Sequence, residues 1–164
     1  MSGWTFAEIW ETAAAQLPDA PFAKQGSRTV TWSEAERRAE GLATFLLDRG
    51  AQRQDKVAQY LYNCPEYLES VFACYKAALV PVNTNYRYAA DELVYLWDNA
   101  DAVAVIFHGI FADTIEAIRE RVPHVATWLW VDDGSGDCPE WATPYEQAAV
   151  AAGQPVVDRV ERSG

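Results

Sequence analysis

Lys56-Val57-Ala58-Gln59-Tyr60-Leu61-Tyr62, Val80-Pro81-Val82-Asn83, Ala102-Val103-Ala104-Val105-Ile106-Phe107 and Thr127-Trp128-Leu129-Trp130-Val131 are four short apolar runs. A stretch with helical spacing separates each from the next. Leu68, Val71, Phe72, Tyr75 and Leu79 fall on one helical face, and Pro65 suits that helix's first turn. Leu93, Leu96 and Trp97 mark a second helix, ending near Ala100. Phe111, Ile115, Ile118 and Val122 mark a third, which Pro123 stops. The run 102–107 is apolar without alternation, as in a strand covered on both faces. Strand alternating with helix predicts an α/β fold, a largely parallel sheet with helices on both faces.

Upstream of this alternation lies a helix, a hairpin and a second helix. Phe6, Ile9, Trp10, Ala13 and Leu17 recur at helical spacing, with Thr5 and Glu8 placed as a capping box and Pro18 as a stop. Residues 22–25 and 28–31 flank Gly26-Ser27 and predict a short hairpin. Thr31 caps the next helix, whose stripe is Ala35, Ala39, Leu42, Ala43 and Leu46, with Gly50 at its end. Past Val131 the pattern weakens. Residues 132–139 form an acidic Gly/Ser turn region, 145–152 suit a short helix, and 154–164 are polar.

Composition sets limits on function. Half of the 164 residues are apolar, enough for a core, which excludes disorder. Lys and Arg number 13 against 24 Asp and Glu, a net charge of −11. Unaided binding to nucleic acid or to an anionic membrane is disfavoured at that charge. No run approaches the roughly 18 residues of a membrane span, and the N-terminus lacks the basic start of a signal peptide. Cys64, Cys74 and Cys138 form no CxxC pair and read as reduced thiols of a cytosolic protein. His108 and His124 have no metal-ligand spacing.

No complete catalytic motif is present: no GxGxxG, GxxxxGK[ST] or GxSxG. The glycines at 134 and 136 sit among three aspartates that would repel phosphate, so that loop reads as solvated. Asp91 and Glu92 are adjacent on a helix and diverge. Glu36, Arg37, Arg38 and Glu40 read as a solvated helix face. Asn83-Thr84-Asn85-Tyr86-Arg87-Tyr88 is different. It follows a buried strand and precedes a helix, where open α/β sheets bind ligands. Arg87 there could hold a phosphate through two N–H groups. Alternatively, Arg87 pairs with a local carboxylate such as Asp91, and Tyr86 and Tyr88 pack on the sheet edge.

Three segments in order resemble the N-terminal part of AMP-forming acyl-CoA synthetases, in the adenylate-forming superfamily. They are Val30-Thr31-Trp32-Ser33-Glu34-Ala35 with the helix after it, Asp55-Lys56-Val57-Ala58 with Asn63 and Glu66, and residues 73–83 followed by Glu92-Leu93 and the strand from Ala102. Residues 80–88 look most like fatty-acyl and steroid-acyl ligases. Gln54 and Ala78 depart from the family, which favours glycine at both places; a positive φ at Ala78 would cost about 1 kcal/mol.

The resemblance implies part of the large N-terminal domain of an adenylate-forming enzyme. Residues 1–131 would be an N-terminal α/β subdomain, with 1–50 its lead-in and 56–131 its alternation. Residues 132–164, ending Arg162-Ser163-Gly164, would lead toward the phosphate loop. The full-length enzyme would use ATP and Mg²⁺ to turn a carboxylic acid, a fatty or steroid side-chain acid, into acyl-AMP, then transfer the acyl group to CoA. No catalytic or metal-binding residue is expected in this segment, which alone would be inactive and bind no cofactor tightly. Family position assigns Arg87, with Tyr86 and Asn85, to CoA contact. The implied partners are the acid, CoA, the rest of the synthetase chain and a second copy; the implied location is cytoplasmic or peripheral to a membrane. The alternative is a stand-alone α/β binding or dimerisation module, without catalysis.

Overall fold

The computed structural model describes residues 4–162. Helix α1 (Phe6–Gln16) leads into a hairpin of β1 (Pro21–Gln25) and β2 (Arg28–Thr31), then α2 (Trp32–Asp48). The alternation follows: β3 (Lys56–Tyr60), α3 (Pro65–Lys76), β4 (Val80–Asn83), α4 (Ala90–Asn99), β5 (Ala102–His108), α5 (Ala112–Ile118) and β6 (Thr127–Val131). Short 3₁₀ turns flank α5 on both sides. The helix expected over 111–122 is therefore a short α-helix between two tighter turns.

Caps explain the helix starts. At α1 the Thr5 hydroxyl accepts from the Glu8 N–H, and the Glu8 carboxylate accepts from the Thr5 N–H, the predicted reciprocal box. At α2 the Thr31 hydroxyl accepts from the Glu34 N–H. Gly26 turns the hairpin at φ +58° and Gly50 follows α2 at φ +93°, both left-handed conformations that glycine adopts without a Cβ clash.

The main sheet is parallel, in the order β4-β3-β5-β6-β7. Its last member, β7 (Thr143–Pro144), pairs with β6 and leads into α6 (Tyr145–Ala149). Two residues are too short for a periodicity signal, so the sequence shows only the helix. Because β7 covers it, β6 is not terminal. Trp128 is buried in the core and Trp130 half-buried. Alternate strand residues feed two cores. Val57, Leu61, Ile106 and Leu129 pack under α2, α3 and α6. Ala58, Tyr60, Val105, Phe107 and Trp128 pack under α4 and α5.

The stripe expected on α2, Ala35, Ala39, Leu42, Ala43 and Leu46, is buried, while the faces of α1 and α3 differ from their hydrophobic patterns and α2 also buries a charge. On α1 the residues turned inward are Ala7 and Ala14, while Phe6, Ile9 and Leu17 stay exposed. Trp10 joins Phe22, Trp32, Phe72 and Tyr75 in an edge-to-face cluster that fastens the helix. On α3, Leu68 is exposed, and Glu66, Glu69, Ser70 and Lys76 are buried beside Phe72 and Ala73. On α2 the supposed solvated face holds at Arg37 only. Arg38 is buried, donating to Glu69 at 3.0 Å and bidentately to Glu146 of α6 at 2.7 and 2.8 Å. Lys76 of α3 reaches Glu11, Glu36 and Glu40 at 2.7, 2.6 and 3.0 Å. Arg38 and Lys76 meet opposite charges from other helices, and Glu66 meets Arg28 of β2, which is what permits their burial.

No helix among the described residues is long and apolar enough to cross a membrane.

Candidate functional site

Counted from its first strand, the main sheet runs 2-1-3-4-5. The connections leave in opposite directions from β3 and β5, so a crevice opens beyond the carboxyl ends of these neighbours. Loops from four strands meet there: Leu61 to Cys64 after β3, Thr84 to Tyr88 after β4, Gly109 and Ile110 after β5, and Asp132 onward after β6.

The loop after β4 is built from inside outward. Thr84 is buried; its hydroxyl accepts from the Trp97 indole N–H at 3.1 Å, fixing the loop's root on α4. The Asn85 side-chain oxygen accepts from the Arg87 N–H at 3.0 Å, and the Tyr88 N–H donates to the Asn85 carbonyl. This is an asparagine-closed turn. The Tyr60 hydroxyl donates to the Tyr88 carbonyl at 3.2 Å. Tyr88 packs inward on the α4/α5 side, as the packing alternative expected. Tyr86 instead lies half-exposed over Tyr62, ring centroids 4.9 Å apart.

Arg87 is exposed, its guanidinium 5.5 Å from the Tyr86 ring centre. It makes no carboxylate pair among the described residues. Asp91, the local partner weighed from the sequence, pairs with Arg121 at 2.9 Å. Arg87 is thus an exposed cation on an aromatic platform at the crevice rim. A phosphate or similar anion fits this geometry: a guanidinium fork faces solvent and no carboxylate competes for it.

Two residues of this site carried no functional signal in the sequence. Tyr62 lies just past β3 and His108 ends β5, so they face each other across the crevice. The Tyr62 N–H donates to His108 Nδ1 at 3.0 Å and the rings stack, centroids 5.7 Å apart. Phe111 closes the cluster, 5.3 Å from Tyr62. Burial holds the His108 pKa below its usual range, against the opposing pull of Asp133 and Glu66. His108 follows directly on the apolar run 102–107 and so marks that strand's carboxyl end in the sequence. Which strands are neighbours is not readable there.

Asp133 serves the site as scaffold. Its carboxylate accepts from the Ile110 N–H at 3.1 Å and from Ser135, holding the turn after β5. Burial raises its pKa, but these hydrogen bonds outweigh burial and leave it lowered. Gly109 is needed here: a Cβ would come within 3 Å of the Trp130 indole nitrogen, Asp133 and Ser135. Among the described residues no group of three or more His, Cys, Asp or Glu side chains is placed to hold a metal ion.

A parallel doubly wound sheet with its polar loops gathered at the switch crevice is the architecture in which open α/β sheets bind ligands. Residues 10–161 match the family described as AMP-binding enzyme, and the chain belongs to that family. It is 37% identical over 158 residues to a medium/long-chain-fatty-acid–CoA/3-oxocholest-4-en-26-oate–CoA ligase of Mycobacterium tuberculosis, covering 96% of this chain and 29% of that one. It is 33% identical to a 3-oxocholest-4-en-26-oate–CoA ligase of Rhodococcus rhodochrous, covering 96% and 28%. Acetoacetyl-CoA synthetase from Streptomyces lividans shares the fold, with a TM-score of 0.83 at 20% identity over 92% of this chain and 26% of that one. The chain thus spans under a third of the length of these relatives.

Proposed function

We propose that this chain is the N-terminal part of an AMP-forming acyl-CoA ligase acting on a fatty or steroid side-chain acid. The observation that carries this reading is the 37% identity, sustained over nearly the whole chain, to a ligase named for both substrate classes. In the full-length enzyme a carboxylate oxygen attacks the α-phosphate of ATP, releasing pyrophosphate and forming acyl-AMP. The CoA thiol then displaces AMP. Residues beyond this chain hold Mg²⁺ and the nucleotide, and residues 132–164 lead toward the phosphate loop.

This chain's contribution is to CoA. Arg87 supplies a cation to a CoA phosphate, Tyr86 gives the guanidinium its platform, and Asn85 shapes the turn that presents both. The free guanidinium at the crevice rim supports this role.

The test is acyl-dependent pyrophosphate release by the full-length protein with fatty and steroid acids. Arg87→Ala is expected to raise KM for CoA about tenfold, the loss of one charge-assisted contact. Acyl-AMP formation should keep its wild-type rate. An unchanged KM for CoA refutes the role of Arg87, and the absence of acyl-dependent pyrophosphate release refutes the ligase reading.

A further inference from the structure

We infer that His108 is the positioning residue for Tyr86 and Arg87 at the tip of the loop after β4, acting through Tyr62, and that this placement holds while His108 is neutral with its proton on Nε2. The inference rests on the reading of Arg87 as an anion contact for its functional meaning, but not for its structural content.

The chain of contacts is continuous. His108 sits at the end of β5, 6% exposed. Its Nδ1 accepts from the Tyr62 N–H, so that nitrogen carries no proton. The bond sets the backbone where β3 ends, and the His108 ring stacks on the Tyr62 ring. Tyr62 packs against Tyr86, and Tyr86 lies under the Arg87 guanidinium. Tyr62 and Tyr86 are each about two-fifths exposed. Phe111 also packs on the Tyr62 ring, but among the described residues the one hydrogen bond made by the Tyr62 backbone N–H goes to buried His108.

Protonation puts a hydrogen on Nδ1, facing the Tyr62 N–H. Two donors then oppose each other at 3.0 Å and the bond is lost. Tyr62 must shift, and Tyr86 loses the face on which it rests. The charged groups facing His108 are Asp133 from the loop after β6 and Glu66 from the start of α3. Both favour the protonated ring, while its burial opposes it. Tyr62, beyond β3, supplies the bonded N–H. The outcome is a crevice ordered at neutral pH and loosened on acidification, with the change passing from β5 through β3 to the β4 loop.

The experiment is a pH titration of the ¹⁵N-labelled chain by NMR, with no CoA present. At neutral pH the His108 nitrogens should show the Nε2–H tautomer. On acidification the Tyr62, Tyr86 and Arg87 amide signals should move with the same midpoint as the His108 ring. His108→Asn offers a side-chain oxygen as acceptor near the Nδ1 position and does not titrate. It should keep those amides near their neutral positions and abolish their shared transition. An Nδ1–H tautomer at neutral pH overturns the inference. So does a His108 titration that leaves the Tyr86 and Arg87 amides still, or a transition that persists in His108→Asn. Because no CoA is present, failure here is distinct from failure of the Arg87 kinetics.

Discussion

Lys76→Met should unfold this protein far more easily than replacement of a surface lysine would. Lys76 is 2% exposed by side chain and its ammonium sits among three carboxylates, at 2.6 Å from Glu36, 2.7 Å from Glu11 and 3.0 Å from Glu40. These partners are unequally provided for. Glu11 keeps Arg162 at 2.8 and 2.9 Å, and Glu40 keeps the Val156 N–H at 2.7 Å. Glu36 keeps no other hydrogen-bond donor among the described residues, and its second oxygen is already buried without a partner. Removing one partner of a buried ion pair costs about 3–5 kcal/mol. The carboxylates here are roughly a third exposed, so water recovers part of that, and about 2–4 kcal/mol is expected. Domains of this size have only about 5–15 kcal/mol in total.

Urea unfolding followed by tryptophan fluorescence reads this directly. At an m-value near 2 kcal/mol/M the midpoint should fall by about 1–2 M. Adding Glu36→Gln should restore about 1–2 kcal/mol, since it removes the carboxylate left alone. Acid should narrow the deficit. Burial raises the Glu36 pKa, and Lys76 pulls it down; without Lys76 the folded protein holds that proton more tightly than the unfolded chain. The variant therefore gains relative stability as pH falls through the raised Glu36 pKa. A loss below about 1 kcal/mol, or no rescue by Glu36→Gln, would refute the reasoning that Glu36 is held by Lys76.

Gly41→Ala should lower Tm by roughly 3–9 °C, an overpacking cost of about 1–3 kcal/mol, because the new Cβ would lie 2.3 Å from the Ala149 carbonyl oxygen. An unchanged melting curve would show that α6 does not dock on α2. Ala78→Gly should stabilise by about 0.5–1 kcal/mol in urea: Ala78 sits at φ +54°, and relief of that strain exceeds glycine's added freedom in the unfolded chain. A destabilised variant would contradict the left-handed assignment. The depressed His108 pKa contributes stability that is complete above its unfolded value near 6.5 and lost as pH falls through the folded value. Wild type should therefore lose more stability than His108→Asn between about pH 7 and 5, and parallel losses would count against it.

Much of the fold was legible because it is locally encoded. Thr5 with Glu8, Thr31 with Glu34, and Gly26 in its turn act over a few residues and appear as read. Ala78, singled out by its departure from a family glycine, does adopt the left-handed backbone. The candidate loop 83–88 was legible as a strand end followed by a helix. Its alternatives were not separable, because Asp91 is claimed by Arg121, which is distant in sequence but close in space. Tyr62 and His108 were invisible as a pair, since a hydrogen bond across 46 positions leaves no mark on either neighbourhood.

The sequence by itself determined the order of elements, their caps and the α/β class, since hydrophobic period and turn chemistry are properties of adjacent residues. The strand order, the addition of β7, the inward faces of α1 and α3 and the burial of charges on α2 and α3 came only from the packed fold. The physical reason is compensation at a distance. Arg38 can be buried because Glu69 and Glu146 reach it, and Lys76 because Glu11, Glu36 and Glu40 do. A hydrophobic pattern places such residues in water until the fold supplies their partners.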